Sequence, residues 1–386
     1  MTTKFFPPPP REQLVPRPRL VERLEAGLRQ GRKLVLVSAP AGFGKTTLVV
    51  EACQRLGTGC QLAWLSLDDA DNEPIRFWRY LVTALRRVEG GVGDLAIDML
   101  EANQPPPFET VLTGLLNDLA GVSPPLILVL DDYHVIDTRA IHEGLNFLLD
   151  HLPPQIHLVL TTRADPPLAL ARRRARTEMV EVRAADLRFT REESLAFLNA
   201  ILRLDLPAAD VEVLLRRTEG WIAGLQMAGL AMQGMAGALV DGAPDRLHEF
   251  IASFAGDDQY IGDYLVEEVL HRQPEAIQSF LLQTSVLERF CAELCSAVFS
   301  GKWSAAGEED SMLTADHRPL ATSKVRQLLE SLDHSNLFLV PLDNRQEWYR
   351  YHRLFAELLL RRLRQTLGPE AEVELRRRAS VWLAER

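Results

Sequence analysis

A glycine-rich segment at residues 39–46 has the residue types and the spacing of a phosphate-binding loop. It differs from the P-loop pattern G-x-x-x-x-G-K-[ST] only in having Ala39 at the first glycine. Triphosphate oxygens need converging donors, which successive backbone N–H groups and a helix N-terminus supply. Gly42 and Gly44 let the backbone approach those oxygens. The segment predicts a site for a purine nucleoside triphosphate, and a simple glycine turn before a helix is the alternative.

The side chains that follow the glycines suit a magnesium nucleotide. The ammonium group of Lys45 would lie between the β- and γ-phosphates, and the hydroxyl of Thr46 would ligate Mg²⁺. The residues that we expect to bind the nucleotide at this loop are Ala41, Gly42, Phe43, Gly44, Lys45, Thr46 and Thr47.

Two carboxylates follow a run of five apolar residues at 126–130. Such a run predicts a buried strand, and its carboxyl end would deliver Asp131 and Asp132 to the edge of the sheet where ligands of open α/β sheets bind. We expect Asp131 to hold Mg²⁺ and Asp132 to polarise the attacking water as a general base. Alternatively, Asp132 caps the next turn.

One strand later, residues 156–161 lead to Arg163 at the same edge. A planar guanidinium suits contact with a phosphate, so Arg163 is placed to sense the γ-phosphate, unless it is a solvated surface arginine. The three consecutive arginines at 172–174 are interpreted as a solvated helix face.

These residues need a parallel sheet to position them. Short apolar runs at 33–37, 62–67, 126–130, 156–161 and 179–182 alternate with amphipathic helical patterns, as in a parallel sheet covered by helices on both faces. From residue 190 the pattern is helical, and Thr190 with Glu193 forms a capping-box pattern. Further helices and two short strands at 337–342 and 348–351 then predict a winged helix.

The predicted architecture is an α/β P-loop domain followed by an α-helical domain and a winged-helix domain. Its boundaries are 1–189 for the N-terminal arm and nucleotide-binding domain, 190–271 for the helical domain, and 272–365 for the winged helix. Residues 300–318 are polar and acidic and predict a disordered insertion, whereas residues 366–386 predict a helix that leads towards a missing C-terminal region.

Composition narrows the class of protein. The net charge is -10, and no basic stretch with interleaved aromatics predicts DNA binding by this segment. The longest apolar runs are far below the roughly 20 residues that span a bilayer, and no signal-peptide pattern follows Met1. Four cysteines without zinc spacing fit a reducing cytoplasm. Residues 5–10 contain four consecutive prolines and predict a mobile or draped arm.

Several motifs together resemble a known family. Besides the loop and the Asp131–Asp132 strand, the chain has Leu-Val-Pro-Arg at 14–17, Thr-Thr-Arg at 161–163, Gly-Trp-Ile-Ala-Gly-Leu-Gln at 220–226 and Tyr-His-Arg-Leu-Phe at 351–355. This set resembles the STAND class of P-loop NTPases, and within it the MalT-like large LuxR-type transcriptional regulators. The resemblance covers nearly the whole chain.

The resemblance implies roles that the residues alone do not. Val15 and Arg17 would wrap the adenine and ribose, and His352 would reach the β-phosphate of ADP and hold a closed resting state. In isolation His352 would be interpreted as a core or surface histidine. The helical-domain stretch 220–226 has no proline like the one with which many STAND proteins pack on adenine, so Trp221 is a candidate core residue.

The implied function is an ATP/ADP switch with slow hydrolysis. ADP would keep the domains closed, whereas ATP and an unknown small-molecule or protein inducer, bound by the missing C-terminal region, would open them for self-association. Two other classes stay open. A STAND ATPase of a defence or kinase-associated signalling protein would share these motifs, and a P-loop metabolic enzyme would need a lid segment that we do not find between Asp132 and Arg163.

Overall fold

The computed structural model describes residues 2–9, 13–102, 104, 106–237, 243–255, 259–299, 321–343 and 345–385. The chain divides into two compact units, Met1–Leu187 and Arg188–Arg386.

The first unit is built on a five-stranded parallel sheet with the order β2-β3-β4-β1-β5. Every residue of β1, β3 and β4 is buried, because helices cover both faces. This burial explains why the strands appear in the sequence as continuous apolar runs. The strands are β1 Leu34–Ser38, β2 Gln61–Ser66, β3 Leu126–Asp131, β4 Ile156–Thr162 and β5 Met179–Arg183.

Over the described residues of this unit, eight α-helices surround the sheet. Helices α3 to α7 share one apolar core with the strands, whereas α1, α2 and α8 contribute no residue to that core. Two of the eight helices, α4 and α5, lie in the crossover between β2 and β3 and have no counterpart among the predicted elements. The helices are α1 Pro18–Arg29, α2 Lys45–Leu56, α3 Pro74–Arg86, α4 Asp94–Glu101, α5 Phe108–Leu119, α6 Arg139–His151, α7 Leu170–Ala175 and α8 Ala184–Leu187.

In the part of the N-terminal arm that the structure describes, the chain packs against the first unit. A 3₁₀ helix at Thr2–Phe5 places Lys4 in a buried ion pair with Asp71, whose side chain is fully buried, and 2.8 Å from Asp68. The ring of Phe5 packs edge-on against Tyr80 with the centroids 5.8 Å apart. The arm is thus draped on the first unit, and proline extension alone did not predict the ion pair that holds it.

The interpretation of residues 172–174 as a solvated face is wrong for the middle arginine. Arg173 is fully buried, and its guanidinium lies 3.0 Å from Asp150 and donates to the carbonyl of Leu168. The short helix α7 turns this side chain inwards, where the carboxylate compensates part of the cost of removing the charge from water.

The second unit begins with the predicted capping box. The Thr190 hydroxyl accepts from the Glu193 N–H, and the Glu193 carboxylate accepts from the Thr190 N–H. The α-helices are α9 Arg191–Leu195, α10 Ala208–Thr218, α11 Ile222–Gly237, α12 Ala243–Ser253, α13 Gln259–Leu265, α14 Glu275–Thr284, α15 Ala292–Val298, α16 Thr322–His334, α17 Arg353–Leu367 and α18 Pro369–Ala384. Single π-helical segments, Ala196–Ile201 and Val266–Leu270, follow α9 and α13.

The predicted hairpin is present as β6 Leu339–Pro341 and β7 Tyr349–Tyr351, which pair antiparallel. A parallel-sheet P-loop domain, helices and a winged helix therefore follow each other along the chain, and the predicted fold class is confirmed. The insertion predicted at 300–318 lies outside the described residues.

Candidate nucleotide site

The loop after β1 has the backbone geometry that its glycines predict. Gly42 and Gly44 both have φ of 76°, a left-handed conformation that side chains disfavour. Gly44 is the N-cap of α2, so the N–H groups at the start of this helix point into the loop. Phe43, between the two glycines, and Ala41, just before them, are buried and anchor the turn. The segment can therefore present several backbone donors to one anion.

Lys45 is the cation of this loop. Its side chain is only 7% exposed, and Nζ donates to the Pro40 carbonyl at 3.0 Å. Burial, together with the nearby charge of Arg163, lowers the pKa of Lys45 to about 8, whereas Asp132 and Asp131 oppose this shift. A phosphate near Nζ would favour the charged form, because an opposite charge stabilises the ammonium.

Asp131 lies where the sequence predicts a magnesium partner. Its carboxylate is almost completely buried at the end of β3, and Oδ1 accepts from the Thr46 hydroxyl at 2.8 Å and from the Thr161 hydroxyl at 2.6 Å. Burial raises the pKa of Asp131, although these two hydrogen bonds act in the opposite direction. A buried carboxylate beside a threonine hydroxyl is an all-oxygen donor set, which fits Mg²⁺.

Asp132 has different surroundings from this buried pair. Its φ is 60°, which is unusual for a residue other than glycine, and its side chain is about half exposed. Its N–H donates to the Thr161 hydroxyl at 2.9 Å, and one of its carboxylate oxygens lies 3.7 Å from Nδ1 of His134. Two consecutive aspartates thus have different surroundings, one buried and one accessible to solvent.

The remaining predicted residues of the first unit lie around the same loop or before α1. Arg163 follows β4 directly, and its charge acts on Lys45. Thr47 lies in the first turn of α2, half-buried. Val15 and Arg17 are buried, and the Arg17 backbone N–H donates to Glu51 of α2 at 3.3 Å. Arg17 is therefore tied to the helix that begins at the phosphate loop.

His352 belongs to the second unit, where it is the N-cap of α17. It is 2% exposed, and its Nε2–H donates to the Thr218 carbonyl at 3.0 Å. Burial lowers the pKa of His352 to about 4, so the ring is neutral near pH 7. Nδ1 is buried and has no hydrogen-bond partner among the described residues.

Trp221 is a core residue in the second unit. It is fully buried and packs against the rings of Tyr264, Phe338 and His352 at centroid distances of 5.7, 5.3 and 6.0 Å. The indole therefore helps to hold the imidazole in place.

Two residues that contact other residues of interest, Thr161 and Glu219, were not among the residues predicted from the sequence. Thr161 belongs to the Thr-Thr-Arg motif that pointed to Arg163, and its position one strand from Asp131 was the available signal. Glu219, which binds Arg350, has no signal of this kind, because the two lie 131 residues apart in the chain.

Known families match both parts of the chain. Residues 13–161 match the AAA ATPase domain, and residues 266–371 match the MalT winged helix domain. The chain has the domain organisation of a MalT-like P-loop NTPase. Across the described residues, none of the helices of this MalT-like chain is long and apolar enough to cross a membrane.

Curated relatives extend the similarity over nearly all of the MalT-like chain. It is 33% identical over 368 residues to the HTH-type transcriptional regulator MalT of Vibrio cholerae, which covers 95% of this chain and 37% of that protein. It is 34% identical over 384 residues to the serine/threonine-protein kinase PknK of Mycobacterium tuberculosis, which covers 99% of this chain and 32% of the kinase. The chain spans about a third of the length of these relatives.

Among solved structures, a Walker-type ATPase of Pyrococcus abyssi has a similar fold. The TM-score is 0.56 at 17% identity, over 94% of the MalT-like chain and 100% of the other chain. This likeness concerns the fold alone.

Proposed function

We propose that this chain is the nucleotide-dependent switch of a MalT-like regulator and binds ATP or ADP with Mg²⁺ in its first unit. The contact that supports this proposal best is the 2.8 Å hydrogen bond between Thr46 of the phosphate loop and Asp131 of β3. It joins the two elements that a magnesium nucleotide needs, one for the phosphates and one for the cation.

In the proposed complex, backbone N–H groups of residues 41–46 and the ammonium of Lys45 bind the phosphates. Thr46 and Asp131 hold the cation, which supplies charge neutralisation at the β- and γ-phosphates when bound. Val15 and Arg17 contact the adenine and ribose. Because the glycines already have the required positive φ, the loop needs little rearrangement to accept an anion.

We assign slow hydrolysis to Asp132 and Arg163. Asp132 is exposed enough to accept a proton from water, whereas Asp131 is buried and hydrogen-bonded by two hydroxyls. Arg163 would sense the γ-phosphate beside Lys45. Under this assignment, Asp131 binds the cation and the adjacent Asp132 accepts the proton from water.

We further propose that His352 recognises the β-phosphate of ADP in a closed resting state. In the described arrangement its Nε2–H is donated to Thr218, and the neutral Nδ1 can only accept. Phosphate oxygens also accept, so contact needs either release of the Thr218 carbonyl or a proton on Nδ1. Formation of the closed state would therefore be coupled to a rearrangement around Thr218.

Opening with ATP, self-association and response to an inducer are proposals for the whole protein. A kinase-associated switch is the second candidate, because the match to PknK covers 99% of this chain at 34% identity. Both candidates use the same nucleotide site. A helix-turn-helix or a kinase domain in the whole protein would distinguish them, since the two have different sequence signatures.

The proposal is tested by nucleotide content and nucleotide-dependent stability. Purified protein is denatured, and the supernatant is chromatographed for ADP and ATP. Thermal unfolding is then followed with and without added ADP and Mg²⁺ for the wild type and for Lys45→Ala. We expect bound ADP and a nucleotide-dependent rise in Tm in the wild type alone. Absence of nucleotide together with an unchanged Tm would exclude the proposed function.

A further inference from the structure

The strand order places one strand between the phosphate loop and the magnesium carboxylate. β4 lies between β1, which leads into the loop, and β3, which ends at Asp131. The carboxyl end of β4 therefore separates the two parts of the proposed site. Its penultimate residue is Thr161, which is fully buried and pairs with Val37 of β1.

The hydroxyl of Thr161 forms hydrogen bonds with Asp131, the last residue of β3, and with Asp132, which follows it. It donates to Oδ1 of Asp131 at 2.6 Å and accepts from the N–H of Asp132 at 2.9 Å. A hydroxyl has one proton, and here it is donated in the hydrogen bond to the carboxylate. The hydroxyl oxygen therefore acts as the acceptor for the N–H of Asp132. Thr161 thereby fixes the Asp131 carboxylate and the Asp132 backbone together.

The backbone at Asp132 has an unusual conformation. Asp132 adopts a φ of 60°, which costs about 1 kcal/mol or more for a residue with a side chain and needs compensating contacts. The Asp132 N–H points at Thr161, while its side chain is about half exposed. Asp131 remains turned towards Thr46, where its Oδ1 accepts the second hydroxyl.

We infer that Thr161 is a positioning residue, which orients Asp131 for the magnesium nucleotide and sets Asp132 apart for proton transfer. The inference rests on the proposed function, because it assigns a role within that site. Thr161 acts through the two aspartates and does not itself contact the nucleotide. Partners of this kind orient metal ligands, and their loss commonly weakens metal affinity about 10-fold to 100-fold.

The test separates magnesium-dependent from magnesium-independent binding. A fluorescent N-methylanthraniloyl derivative of ADP is titrated with EDTA and with Mg²⁺, and the ratio of the two Kd values measures the magnesium enhancement. For Thr161→Val we expect the Kd in EDTA to stay within about 2-fold of the wild type and the enhancement to fall about 10-fold. Single-turnover hydrolysis of ATP should fall at least as much. Thr161→Ser keeps the hydroxyl and should restore both.

Two further variants control for a merely structural effect. Thr284→Val removes a hydroxyl with the same complete burial in the second unit, where it contacts Phe280 and Tyr351, and should leave the enhancement unchanged. Asp131→Asn removes the group through which Thr161 acts. Thr161→Val should then reduce the enhancement by less than about 2-fold when added to Asp131→Asn.

The outcomes distinguish this inference from the proposed function. If the wild type binds nucleotide with magnesium enhancement and Thr161→Val keeps that enhancement, Thr161 does not position Asp131, and the proposed function stands. If the wild type binds no nucleotide, the proposed function and the inference both fail. Should Thr161→Val not fold, Thr161→Cys, a weak donor of similar size, is compared with Thr161→Ser. Equal enhancement in these two variants would overturn the inference.

Discussion

Glu219 and Arg350 form a bidentate ion pair, with Oε1–Nη1 and Oε2–Nη2 distances of 2.7 and 2.8 Å. Glu219 follows α10 with a φ of 50°, and Arg350 lies on β7 of the hairpin. The same carboxylate accepts from the Arg353 N–H at 3.1 Å, which satisfies one of the free donors at the start of α17. This pair fixes the turn before Trp221 to the strand before His352.

We expect Glu219→Gln to destabilise the second unit. The change removes the negative charge but keeps the shape, so Arg350 loses its ionic partner in a site where the Glu219 side chain is only 12% exposed. The expected loss is about 1.5 to 3 kcal/mol in the free energy of unfolding, measured by urea denaturation. Glu143→Gln is the matched control, because its pair with Arg139 is exposed on the surface of α6 and should contribute less than about 1 kcal/mol.

The same carboxylate predicts an acid-dependent loss of stability. Although burial opposes its ionisation, the hydrogen bonds from Arg350 lower the pKa of Glu219 from 4.5 to about 2. A folded-state pKa below the unfolded value gives stability that is fully present above about pH 4.5 and is lost as the pH falls towards about 2. The difference in urea stability between the wild type and Glu219→Gln should shrink over this window. A constant difference from pH 7 to pH 2.5 would contradict the assignment.

Asp132→Ala should separate binding from hydrolysis. Its side chain is about half exposed and is not among the groups that we assign to cation binding. The affinity for ADP with Mg²⁺ should therefore change by less than about 3-fold. Loss of a general base should reduce single-turnover hydrolysis about 100-fold or more. Asp137→Ala, which removes an exposed carboxylate from the same loop, is the control. Hydrolysis by Asp132→Ala at the wild-type rate would return Asp132 to the capping interpretation.

His352→Ala should weaken ADP more than ATP if His352 recognises the resting state. Loss of one hydrogen bond to a charged phosphate costs about 1.5 to 3 kcal/mol, or about 10-fold to 150-fold in Kd. Titrations of ADP and a non-hydrolysable ATP analogue measure the two affinities separately. The exposed His334 serves as the control in His334→Ala. Equal weakening of both nucleotides would show that His352 does not discriminate between the states.

Lys4→Met should release the N-terminal arm. It removes the ammonium from Asp71, which is fully buried; among the residues that the structure describes, the Arg76 guanidinium, at 3.2 Å, would remain as its ionic partner. Since removing one partner from a buried ion pair is costly, we expect about 2 to 4 kcal/mol of lost stability and faster proteolysis near residue 7. Thr3→Ala, at an exposed position of the same 3₁₀ helix, should change neither.

The sequence alone determined the sheet and the phosphate loop. The apolar run at residues 126–130 identified β3 because a strand buried on both faces has no alternation to obscure it. Gly44 and Lys45 identified the loop because its chemistry depends on residues that are adjacent in the chain. Local patterns of this kind do not depend on distant parts of the molecule, and the same holds for the capping box at Thr190.

Only the tertiary structure decided which distant residues meet. Thr161 reaches Asp131 because β4 pairs with β3, Glu219 reaches Arg350 because the hairpin packs beside the end of α10, and Lys4 reaches Asp71 because the arm docks beside α3. These contacts join residues 30, 131 and 67 positions apart. No periodicity in a single sequence encodes such pairs, because each depends on strand order and helix packing that form only when the whole core is assembled.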